Sequence, residues 1–152
     1  IADVSIMAGL KLTTDDGSEH RYTADANACF FHYDTTDTEG ALTDNANLHF
    51  IVCVAGTDYI TDLGIVVAAD TNYRLGITID SDRKVSAWVN GVQYSLTSAD
   101  TAGGVTTAAG TALSPAMTDD IDLIPMVMVK TRTGGAKHIY LMYEKISRIF
   151  FE

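Results

Sequence analysis

Basic residues are scarce: ten Lys and Arg stand against twenty Asp and Glu, a formal net charge of −10 over 152 residues. Such a surface repels phosphate backbones, so direct nucleic-acid binding is not expected. Cysteine is scarcer still. Two residues, Cys29 and Cys53, are too few for the disulfide framework of a secreted domain of this size. No apolar run reaches membrane length and no charged leader precedes an apolar stretch, so neither a membrane partner nor a targeting signal is expected. Helical periodicity is also missing. The nearest candidate, residues 100–117, is rich in Ala but interrupted by Gly103, Gly104, Gly110 and Pro115, and reads as a long loop.

What the chain has instead is strand-like alternation. Tyr73, Leu75, Ile77 and Ile79 alternate with Arg74, Gly76, Thr78 and Asp80, the period of a strand with one buried face. Ser81, Asp82 and Arg83 make a polar turn, and Val85, Ala87 and Val89 begin a second strand. Asn90-Gly91 then supplies the dipeptide best suited to a two-residue turn with positive φ at both positions, with Val92, Tyr94 and Leu96 continuing beyond it. This antiparallel meander needs a second layer to bury its apolar face.

Further strands are expected over residues 4–13, with a bend at Gly9, and over 28–33 and 48–54. Tyr59-Ile60 and residues 65–67 read as two short strands broken by Asp62 and Gly64. Residues 121–129 and 137–150 read as a closing hairpin around TRTGGA. Nine or ten strands with frequent turn signals, no linker and no internal repeat predict an all-β, two-sheet antiparallel β-sandwich, one domain spanning 1–152. The start at Ile1 implies a processed product or part of a longer polypeptide.

The sequence Y-x-L-x-I-x-I-D, a polar turn, then V-x-A-W-V-N-G resembles the hairpin of concanavalin-like and laminin-G-like jelly rolls. The flanking IMAGLKL and HIYLMYEKISRI resemble the long strands that frame such domains. Stretches such as VAADTNYRLGI and YEKISRI are similar to jelly rolls in the virion proteins of tailed phages, where they decorate capsids or sit on tail appendages. The resemblance implies a virion location, with a capsid lattice or tail component as partner, and a homo-oligomer, a trimer in the first instance.

Enzymes of that fold carry Glu-x-Asp-x-x-Glu, which sets two carboxylates on one strand face. Here Glu19, Glu39, Glu144 and Glu152 lie far apart. Its lectins hold metal with Asp, Asn and His. The nearest sets here, Asp119, Asp120 and Asp122, or Asp80 and Asp82, have no matching His and leave only weak hard-cation binding open. His20, His32, His49 and His138 are dispersed, without zinc-ligand spacing. Ser86 lacks a nucleophile elbow, and Gly103-Gly104 lacks the context of a phosphate loop. No catalytic residue and no cofactor is therefore assigned.

The leading expectation is a non-enzymatic virion structural subunit that decorates or cements a capsid or forms part of a tail appendage. The alternative is a carbohydrate-binding module that takes a cell-surface glycan on Trp88, Tyr94, Tyr140 and Tyr143. A glycan-degrading enzyme ranks third. Contacts are expected in the loops 34–47 and 98–120. Residues 101–117 hold no ionisable side chain, which predicts burial between subunits through Val105, Leu113 and Met117. A small basic group, Lys130, Arg132 and Lys137, flanks Gly134-Gly135. Pairing Tyr33 with His49 sets Cys29 opposite Cys53, both as free thiols.

Overall fold

The alternating segments form two sheets, as seen in a computed structural model that describes residues 4–11, 27–36, 42, 45–96, 103–104, 112, 115–131, 138–142 and 144–147. The larger sheet contains β1 (Val4–Lys11), β2 (Asn27–Asp34), β3 (Asn47–Val54), β4 (Thr57–Val66), the two-residue β8 (Gly103–Gly104) and β9 (Ile124–Thr131), in the order β8-β4-β3-β2-β1-β9. The smaller contains β5 (Leu75–Ile79), β6 (Val85–Val89) and β7 (Val92–Tyr94) in chain order. All pairings are antiparallel except that of β8 with β4. The fold is an all-β sandwich.

The core lies between the sheets. Cys29, Phe31 and Tyr33 from β2 and Phe50 and Val52 from β3 meet Val85, Ala87 and Val89 from β6. The Phe31 and Phe50 rings pack edge to face, 4.7 Å between centroids. A second apolar cluster covers the opposite face of the larger sheet and contains Met7, Ala28, Phe30, Leu42, Ile51, Cys53 and Ile60. β2 is therefore buried along its whole length.

The meander 73–96 forms as its alternation predicts. Asn90 and Gly91 adopt φ of 52° and 86° in the turn between β6 and β7. The Asn90 side-chain oxygen accepts from the Arg74 amide at 2.9 Å, and the Asn90 amide donates to the Arg74 carbonyl at 2.8 Å. Gly9 serves close approach: a Cβ there would collide with the Cys29 carbonyl and Phe30 Cα on the neighbouring strand.

Four expectations are corrected. Tyr59-Ile60 and 65–67 are not separate strands, because β4 runs unbroken from Thr57 to Val66. A register shift opposite Leu48 and His49 absorbs the extra residues, with Gly64 at a φ of 64°. Cys29 and Cys53 do not face each other, since Ala28 pairs with Cys53 and Cys29 with Val52. That one-residue slip places the two thiols on opposite faces of the sheet, although both are buried and free. The closing hairpin is absent among the described residues: β9 pairs with β1, while 138–142 and 144–147 form no strand. Met117 packs in the chain's own core and is not a contact between subunits; Val105 and Leu113 lie outside the described residues.

A strap holds Met117 in place. Its amide donates to the Arg83 carbonyl at 2.9 Å and its carbonyl accepts from Arg83 Nε at 3.1 Å. Beside it, Thr118 donates through its hydroxyl to Asn27 Oδ1 at 2.8 Å. One short segment thus ties the β5–β6 turn to the start of β2 and leads the chain into β9.

Candidate functional site

Three groups of residues are candidates: a buried polar cluster, an aromatic on the small sheet, and an exposed apolar arm. The cluster is built by register. His32 on β2 lies directly opposite His49 on β3, Asp62 on β4 lies opposite His49, and Ser5 on β1 lies opposite Asp34. All five side chains are buried on the face turned away from the small sheet. Histidines dispersed in the sequence become neighbours because adjacent strands carry them at matching positions.

Ser5 Oγ lies 3.2 Å from His32 Nε2, and Asp34 Oδ2 lies 3.9 Å from that same nitrogen. A relay that activates a serine needs hydroxyl and carboxylate on opposite ring nitrogens. With both on one nitrogen, the trio ties β1 to β2 instead. His49 Nδ1 donates to the Asn47 carbonyl at 3.1 Å, which leaves Nε2 facing Asp62 Oδ2 at 3.9 Å. Asp62 also accepts from Asn47 Nδ2 at 3.1 Å and from the Gly64 amide at 2.7 Å. Its carboxylate therefore holds the β4 irregularity and the start of β3 together. Sequence spacing does not disclose this cluster; a correct β2–β3 register does.

The acidic pairs act as turn anchors. Asp80 Oδ1 accepts from the amides of Asp82 and Lys84 at 2.9 and 2.8 Å, and Asp119 faces the Arg83 guanidinium at 3.5 Å. Among the described residues, no group of three His, Cys, Asp or Glu side chains is placed to hold a metal ion. Among the described residues no helix is long and apolar enough to cross a membrane.

Trp88 lies on the outer face of the small sheet. It stands opposite Gly76 and Gln93, and its indole N–H donates to Thr78 Oγ1 at 3.2 Å. Gln93 Nε2 donates to Ser86 Oγ at 3.2 Å on the same face. Tyr94 lies on the other face, in the core. Tyr140 is on the C-terminal arm and Tyr143 lies outside the described residues, so no four-ring platform is assembled among them.

The arm comprises 138–142 and 144–147. Tyr140 is 89% exposed, Met142 77%, Ile146 68% and Leu141 60%. Among the described strands β9, which precedes it, is the outermost beyond β1, and it exposes Ile124 and Val127. Residues 123–143, from β9 into the arm, contain no Asp or Glu but carry Lys130, Arg132 and Lys137, and Glu144 follows within the arm. Single exposed apolar residues are ordinary, and these stand together in one short segment. Searched against protein-family models, curated proteins and solved structures, the chain matches none.

Proposed function

We propose that this chain is a non-enzymatic structural subunit of a virus particle, a sandwich that decorates or cements a capsid or builds part of a tail appendage, with the segment 138–147 as its principal contact element. The observation that carries the reading is the exposure of Ile139, Tyr140, Leu141, Met142 and Ile146 together on a strongly acidic chain. An apolar segment that stays in water gains nothing for a lone chain. Covered by a neighbour, it contributes through burial, at about 25 cal/mol per Å² of apolar surface before the costs of association. Binding only to the assembled state stabilises that state by mass action, and repetition over a lattice multiplies weak contacts.

The test is quantitative mass spectrometry of density-banded particles from the source. A fixed copy number of this chain, lost in a Tyr140→Asp/Leu141→Asp variant that still folds, is expected. Absence of the wild-type chain from intact particles overturns the reading.

A second reading, a carbohydrate-binding module, draws on Trp88. An indole on a sheet surface beside Thr78, Ser86 and Gln93 offers a stacking face with polar flanks. Because Trp88 is the only tryptophan, its fluorescence reports directly on titration with host polysaccharides. Saturable change that disappears in Trp88→Ala favours this reading over the first.

A further inference from the structure

We propose that the outer face of the small sheet takes an anionic saccharide, one whose rings carry carboxylates, with Trp88 as its stacking floor and Arg74 as the residue that reads its charge. This rests on the carbohydrate-binding reading of Trp88 and names the class of sugar. Alternation sets the face: Tyr73, Leu75 and Ile77 pack on the core, so Arg74, Gly76 and Thr78 point outwards, as do Ser86, Trp88 and Gln93. The indole N–H reaches Thr78 Oγ1, and Thr78 is the partner of Ser86, so the ring leans along β6 from Trp88 towards Ser86. Ser86 beneath it is only 8% exposed although it stands on the outward face, while Trp88 stays partly exposed. Gly76, directly opposite Trp88, puts no side chain beside the start of the ring; a Cβ there would sit 3.4 Å from Trp88 Cβ. One face of the indole therefore lies against the sheet and the other is turned to solvent, a surface that the C–H groups of a pyranose ring can cover. Holding the ring in advance lowers the ordering cost of binding.

Charge selects among sugars. Residues 73–96 carry five charged side chains, and four of them, Asp80, Asp82, Arg83 and Lys84, belong to the connection between β5 and β6. There Asp80 Oδ1 accepts from the Asp82 and Lys84 amides, and Arg83 faces Asp119. Arg74 stands at the other end of the face. Its amide and carbonyl are fixed to Asn90, and its guanidinium lies 3.0 Å from where a Cβ on Gly91 would be. Among the described residues no carboxylate, Asp70 included, forms an ion pair with it. A guanidinium fork matches a carboxylate with two parallel hydrogen bonds. A neutral sugar stacked on Trp88 leaves that cation unused, whereas a chain of uronic acids brings it a partner. The net charge of −10 opposes an anion mostly at long range, where it is screened over about 8 Å at physiological ionic strength.

The fluorescence of Trp88, the only tryptophan, follows titration with an oligogalacturonate and with the methyl ester of the same oligomer, which keeps the rings and removes the charge. The acid is expected to bind saturably and about tenfold or more tighter than the ester. Arg74→Gln, which keeps the backbone bonds to Asn90, should bring the acid down to the affinity of the ester and leave both the ester affinity and the urea midpoint unchanged. Equal affinity for the two forms in wild type, or an acid affinity that Arg74→Gln does not change, overturns the proposal while the sugar reading of Trp88 stands. No saturable change with either form overturns it as well, and if the host polysaccharides also give none, the sugar reading fails with it.

Discussion

His32 and His49 face one another across β2 and β3, on the side of the larger sheet turned away from the small sheet, with Asp62 next in line on β4. The cluster is a structural device in this account, and the Asp62 carboxylate accepts from two elements within it. Asp62→Ala removes the acceptor for Asn47 Nδ2 and for the Gly64 amide. A loss of about 1–3 kcal/mol in urea unfolding is expected. An unchanged midpoint would show that the bonds around Asp62 contribute nothing net.

The two thiols should never join within one molecule. Cys29 faces the inter-sheet core and Cys53 the opposite face, so alkylation after non-reducing denaturation should label both in full. Recovery of a Cys29–Cys53 disulfide would contradict the register.

Burial also pushes the Cys29 thiol up from 9.0 to about 12. The unfolded thiol ionises first as pH rises, so its contribution to stability is complete below pH 9.0 and is lost as pH rises towards about 12. Comparing wild type with Cys29→Ala across that window should show the gap in stability narrowing with pH. A gap independent of pH would rule out the burial of an un-ionised thiol.

Two glycines should resist substitution for different reasons. Gly91→Val forces a β-branched residue to a φ of 86° beside the Arg74 guanidinium, at a cost of about 1–3 kcal/mol. Gly9→Val drives a side chain into the backbone of β2, at a cost of about 3 kcal/mol or more. Thermal unfolding measures both, and a neutral result at Gly9 would mean that β1 and β2 do not approach as described.

Strand positions are legible along most of the chain, but which way each side chain points is legible only where one face is polar. In β5 to β7 the alternation fixes both the elements and the turn at Asn90-Gly91. In β2 and β3 both faces are buried, so NACFFHYD and HFIVCV give no sign of which residues point which way. That is why the expected register missed by one and the His32–His49 pair was invisible. Asp62 and Gly64 look like breakers, yet they build an irregularity inside one strand. Residues 137–150 read as the second strand of a hairpin around TRTGGA, yet 138–142 and 144–147 form no strand.

The central claim, that 138–147 is a contact element, is tested most directly by hydrogen exchange of the Ile139–Met142 peptide in the free chain and in intact particles. The account predicts fast exchange in the free chain at concentrations low enough to keep it monomeric, and strong protection in the particle. Equally fast exchange in both states would contradict it.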